Sequence, residues 1–346
     1  MRSSKIYSPP RIKSLALLFV IIMSLATLVQ LNLYFCRYNT KGDDIYYIWK
    51  DSQTIASGKN PYERILSGNM VDNRKYITYF PLFYCLVALS QVLGLKELSY
   101  GIFFWRSIFV IFDFGIAALI FDVFYKKKRT ILALFFALFW LFNRWTLNAL
   151  LKVYPDFMAI FFLVVSLKVF PDRRLLSLLL LSLSLAIKQI GIFLVPLYLI
   201  WTWQQPASHK KKIMQLGKAL ILVVSIPLFI SLPFILTSPL GFIKSILFSL
   251  TRNLKGSFYS WSIAEFLGLT AVGSRLPMLA LMIPVYLAAF RKQLTKFTSV
   301  FLIFVLFVDF SPLLFDQYFC WLTPFIPLSI AESLDYFSVS KKPKPD

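Results

Sequence analysis

Two neighbouring carboxylates, Asp43 and Asp44, open the longest polar stretch of this chain, in the run Gly42-Asp43-Asp44-Ile45-Tyr46-Tyr47. Adjacent acids can serve as a general base toward an acceptor hydroxyl, or hold a divalent ion such as magnesium or manganese through oxygen. Gly-Asp-Asp is equally good turn chemistry, and a solvated turn is the plain alternative. Lys188, with Gln189 beside it, is the second candidate, because the pair interrupts the apolar run 175–203. An ammonium there costs on the order of a few kcal/mol unless it finds water or an anion, and a phosphate would satisfy it. The competing reading is a lysine that snorkels to the interface. Arg106, Arg144 and Lys152 suit either a phosphate cradle or simple interfacial anchoring. Asp156, Glu265 and Asp316 are acids without an evident partner. Asp122 has Lys126 at helical spacing, a structural pair, whereas Asp113 lies deeper in an apolar run.

The elements that must carry these residues follow from composition. Of 346 residues, 58% are hydrophobic and only 15% charged, with a mean hydropathy of +0.69. One water-bounded core cannot bury that much apolar surface, so lipid must be the second solvent. In lipid the backbone satisfies itself only as helices or closed barrels. Runs such as 15–35, 102–124, 213–236 and 276–290 are continuously apolar rather than alternating, which excludes a barrel. The net charge of +21 sits in short bursts between apolar runs, notably 126–129, 173–174, 210–212 and 291–296. That is the positive-inside pattern, and it argues against a nucleic-acid partner. Cys36, Cys85 and Cys320 are scattered and odd in number, giving neither a disulfide framework nor a zinc site. The single histidine, His209, falls in a lysine run and reads as solvated.

Holding every basic burst on the cytoplasmic side makes span counting a matter of parity. The run 12–35 leaves the cytoplasm as a retained first span, and 37–100 becomes an outer loop. The apolar run 80–95 is short for a crossing, begins Phe80-Pro81 and contains Gln91, so it is expected to lie on the outer surface as a juxtamembrane helix. The run 175–203 is expected to fold as a hairpin at Lys188-Gln189, and 237–260 to form a second outer loop. The outcome is a single all-α integral membrane domain, 1–346, with about ten transmembrane helices and both termini cytoplasmic in a plasma or inner membrane. No internal repeat interrupts it.

Several of these segments occur in an order that resembles the GT-C class of polytopic glycosyltransferases. Asp43-Asp44-Ile45-Tyr46-Tyr47 resembles the acidic motif of that class's first outer loop. Gly58-Lys59-Asn60-Pro61-Tyr62 is similar to a Gly-x-Asn-Pro-Tyr element of bacterial members, including the family 87 mannosyltransferases. Tyr79-Phe80-Pro81-Leu82 resembles the element that opens a juxtamembrane helix, with Phe80 where proline is frequent. Leu185-Ala186-Ile187-Lys188-Gln189, followed by Pro196, is similar to a hairpin whose lysine lies near the lipid phosphate. No counterpart of the family 87 outer-loop motif stands near 257–261. The resemblance implies inverting transfer of a sugar (mannose or another hexose or pentose) from a polyprenyl-phosphate donor to a lipid or glycan acceptor. It implies Asp44 or Asp43 as base, Lys188 and Arg106 on the leaving phosphate, and Tyr46, Asn60, Tyr62 and Gln189 about the substrate pocket. Some members of the class use a metal and others do not. A transporter or flippase of lipid-linked sugars, and a non-catalytic assembly factor, are the competing readings.

Overall fold

The computed structural model describes residues 10–68, 76–251, 262–269, 271–311 and 314–340, and no strand occurs among them. A long first helix, α1 (Pro10–Phe35), leads into α2 (Asp44–Ala56), a 3-10 helix over Pro61–Ser67, and α3 (Leu82–Val92). Then come α4 (Leu98–Lys126), α5 (Thr130–Phe142), α6 (Arg144–Leu151), α7 (Asp156–Val169) and α8 (Arg174–Ile187). A second 3-10 helix, Gln189–Leu194, joins α8 to α9 (Val195–Trp203), which precedes α10 (His209–Thr237) and α11 (Pro239–Thr251). The chain ends with α12 (Ile263–Phe266), α13 (Ala271–Phe290), α14 (Lys296–Asp309), α15 (Asp316–Leu322) and α16 (Phe325–Ser340).

Two of these helices, α4 and α10, each of 29 residues, are long and apolar enough to cross a membrane. A third crossing arises if α5 and α6, bent by 41° at Asn143, act as one span. The described parts of the other apolar helices, such as Val20–Phe35 and Arg275–Phe290, are shorter, so helix length and composition give two or three crossings among the described residues where parity predicts about ten. The run 175–203 breaks at Lys188, whose backbone is extended at φ −154° and ψ 124°. The chain folds back there. Tyr198 of α9 meets Ser166 of α7 at 2.7 Å, and Ser166 in turn bonds Ser177 in the first turn of α8. The run 80–95 forms the short α3, which lays Phe83, Tyr84 and Val87 into the core.

Within 237–260, expected as a second outer loop, Pro239–Thr251 is helical. Leu240, Ile243 and Leu247 recur at helical spacing on one side, and Phe242 packs the other way against Tyr62, with ring centroids 4.8 Å apart. A Cβ on Gly241 would lie 2.9 Å from the Tyr62 carbonyl oxygen, so only glycine allows this approach. Residues 257–261 lie outside the described residues.

Polar side chains tie the helices together at two ends. At one, Asp122 pairs with Lys126 (2.9 Å) and Lys168, as the helical spacing of Asp122 and Lys126 predicts. Here too Lys296 donates to the Leu167 carbonyl (2.7 Å), and Gln204 donates to those of Ala289 and Phe290 (both 2.9 Å). At the other end lie α2, the first 3-10 helix, α3 and the Lys188 break.

Candidate functional site

A cavity opens between α2, the segment 76–79, α3 and the start of α15. Asp44 and Asp51 line it from α2, Tyr79 from the chain just before α3, Tyr84 from α3, and Gln317 and Tyr318 from α15. Asp43 is the N-cap residue of α2, with extended backbone, and its negative charge, after burial, helps raise the Tyr38 phenol above its ordinary range. Asp44 stands in the first turn, where the positive end of the helix dipole favours an anion. Asp51 follows two turns later on the same face, through Tyr47 and Ile48, which also line the cavity. The spacing Asp44, Tyr47, Ile48, Asp51 is the signal that would have found it in sequence; Asp51 was not foreseen. Its carboxylate is buried and contacts Arg64 at 3.2 Å, and the Arg64 guanidinium lies over the Tyr76 ring at 5.7 Å. Burial pushes the Asp51 carboxyl up to about 6, against the opposite pull of Arg64.

Beneath the cavity is a buried ion pair. Lys188 is wholly buried, and its Nζ donates to Asp156 Oδ1 at 2.9 Å and Oδ2 at 2.7 Å. It donates also to Gln317 Oε1 at 3.0 Å, and Tyr79 and Tyr154 rings flank it at 5.1 and 5.8 Å. Trp321 donates its indole N–H to Asp156 Oδ1. Asp156 is thus the partner that the sequence did not supply. Such a pair survives out of water because each charge is met by the other and by further hydrogen bonds. Burial, and after it the negative charges of Asp44 and Asp43, hold the Tyr154 phenol well above its ordinary range. The acidic motif and the Lys188 pair therefore face the same region.

Other candidate residues are placed differently. Lys188, expected near a donor phosphate, meets the Asp156 carboxylate in this structure. Arg106 is buried with Nε and Nη2 donating to the Leu150 and Leu151 carbonyls, at 3.2 and 3.1 Å. It closes the last turn of α6 and does not line the cavity. Asn60 caps the first 3-10 helix, its Oδ1 accepting from Tyr62 N at 3.0 Å, and its Nδ2 clasps Phe234 O (3.0 Å) and Thr237 Oγ1 (2.8 Å) of α10. Tyr62 is wholly buried and donates to Tyr79 O at 2.7 Å. Both shape the cavity from behind, by holding its wall. Gln189 does the same through a bond to Thr78 O, and Thr78 lines the cavity. Tyr46 stacks under Lys50 (4.5 Å) beside the cavity-lining Tyr47. Asp316, next to Gln317, accepts from Asn148 (3.0 Å) and lies 4.0 Å from Lys152.

No group of three histidine, cysteine, aspartate or glutamate side chains gathers among the described residues. Asp43 and Asp44 alone would fit magnesium or manganese only with water and substrate phosphate completing the coordination. No family model, curated protein or solved structure matches this chain.

Proposed function

We propose that this chain is a polytopic membrane glycosyltransferase, of about ten spans, working at the non-cytoplasmic face. It moves a sugar from a polyprenyl-phosphate donor to a lipid or glycan acceptor. The observation that carries this reading is the cavity itself, which gathers Asp44, Asp51, Gln317 and several tyrosines. Carboxylates and an amide bind hydroxyls, and aromatic faces cover the C–H faces of a sugar ring. A lipid-borne donor would reach such a site from the bilayer.

In the proposed step the acceptor oxygen attacks the anomeric carbon while the bond from that carbon to the phosphate oxygen breaks. The electron pair leaves with the polyprenyl phosphate, and the acceptor's proton passes to Asp44. Asp43 orients the N-terminus of α2. A metal, where one serves, would screen the leaving phosphate. The test is transfer from a polyprenyl-phosphate sugar by the purified full chain. Asp44→Asn should lower the rate about 10²–10⁴-fold, the range of a lost general base. Undiminished transfer in that variant would remove Asp44 from the role.

One observation favours the second reading, a transporter or flippase of lipid-linked sugars. Asp113 is fully buried within α4 and neither carboxylate oxygen has a hydrogen-bond partner among the described residues. Buried intramembrane acids commonly carry protons in transporters. Transport by vesicles holding the protein, lost in Asp113→Asn and kept in Asp44→Asn, would decide for it.

A further inference from the structure

We propose that Lys188 and Asp156 are positioning residues whose task is to lock the Gln317 amide so that its N–H2 group reads a sugar hydroxyl in the cavity. This inference rests on the sugar-handling reading above. The geometry starts from Lys188, which sits between Asp156 and Gln317 with Nζ 3.0 Å from Gln317 Oε1. An ammonium can only donate, so the oxygen end of the amide is the end that must face it. The Nε2 end then faces away. Gln317 is 3% exposed and lines the cavity, and no described residue accepts from its Nε2. The amide N–H2 opens onto the cavity, where a ligand oxygen can accept from it in place of water.

The cavity wall says which oxygen. Its lining includes two groups charged at neutral pH, Asp44 and Asp51, both acids; Arg64, the partner of Asp51, is not in the lining. A phosphate would meet like charge there, whereas a sugar hydroxyl can accept from Gln317 and donate to a carboxylate at once. Tyr79, Tyr84 and Tyr318 supply the apolar faces. The volume is about 70 Å³, on a scale where one water needs about 10–15 Å³. That suits one sugar ring rather than an oligosaccharide. The role differs from direct contact of Lys188 with the donor phosphate: the lysine acts through the amide.

The full chain in lipid nanodiscs is titrated with methyl glycosides of mannose, glucose, galactose and arabinose, and separately with inorganic phosphate, by ligand-observed NMR. At least one glycoside should bind and phosphate should not. Gln317→Leu should weaken that glycoside about five- to tenfold, the value of one hydrogen bond to a buried donor. The double variant Lys188→Met with Asp156→Asn, which leaves no buried charge alone, should show the same loss although neither residue touches the sugar. Deoxy glycosides supply a readout that a purely structural role would not move. One of them should bind wild type and both variants equally, because the hydroxyl that Gln317 reads is gone. Equal glycoside affinity in wild type and Gln317→Leu overturns the proposal alone, as does a Lys188→Met/Asp156→Asn variant with unchanged affinity. Failure of wild type to bind any glycoside overturns the sugar-handling reading and the proposal with it. Preferential binding of phosphate overturns the hydroxyl assignment.

Discussion

Asp51 is the residue whose chemistry depends most on where the fold puts it. In the unfolded chain its carboxyl titrates near the ordinary value of about 3.9. In the folded protein burial raises it to about 6, with Arg64 opposing and the buried Tyr62 and Tyr84 phenols nearby. The folded value lies above the unfolded one, so this group favours the folded state fully below about pH 4. That contribution is lost as pH climbs to about 6 and does not return above it. Asp51→Asn should therefore flatten the decline of stability between about pH 4 and 6. Denaturation midpoints across that window check it, and an unchanged slope would mean Asp51 titrates normally. The sequence showed the acid pair Asp43–Asp44 and the odd lysine at 188, because both break a local pattern. It did not show Asp156 as the partner of Lys188, since the pair is 32 residues apart and only the packing of α7 against α8 brings them together. Arg106 looked like a phosphate ligand for the same reason: nothing local reveals that two carbonyls of α6 take its guanidinium.

At the scale of elements, α2 is held to the bundle by two contacts that fix the height of its acids. Gln91 of α3 donates to the Trp49 carbonyl at 3.0 Å, and Gly101 of α4 lets the Trp49 ring lie against the backbone. A Cβ at Gly101 would come within 2.1 Å of Trp49 Cζ3, closer than atoms can approach. Gly101→Ala should therefore push α2 outward, lowering stability by about 1–3 kcal/mol and reducing glycoside binding without altering any residue of the cavity. Normal binding by that variant would mean α2 tolerates the shift. The break at Lys188 was legible, as polar residues in an apolar run mark a turn. The helix α11 was not, because Pro239 and Gly241 imitate loop chemistry and its apolar face matters only once the 3-10 helix Pro61–Ser67 is there to receive it.

The whole molecule has one end built from basic ion pairs and another built around the cavity. Lys126, Lys168 and Lys296 meet their partners at the first; Asp44, Asp156 and Lys188 lie toward the second. The positive-inside pattern would put the first of these ends in the cytoplasm, and labelling tests that. Single cysteines at Ser57 and Lys210, introduced after removing Cys36, Cys85 and Cys320, should react with a membrane-impermeant reagent from opposite sides. Labelling of both from one side would break the thread. Composition revealed the helical class because it sums over the chain. The span count depends on how short helices such as α8, α14 and α15 share the bilayer, which apolarity alone does not fix.

The clasp between Asn60 and the end of α10 has a mechanical side. At 1.5 Å per residue, the 29 residues of α10 reach about 43 Å, well beyond a hydrocarbon layer of about 30 Å. Such a helix answers a thinner or thicker bilayer by tilting, and its far end carries Phe234 and Thr237. Through Asn60, tilting of that helix should shift the 3-10 helix bearing Arg64, and so the charge beside Asp51. The surrounding lipid then becomes a hand on the cavity wall. Glycoside affinity should vary with acyl-chain length in reconstituted membranes, and Asn60→Ala should blunt that variation; an Asn60→Ala protein as sensitive as wild type would show the lever is elsewhere.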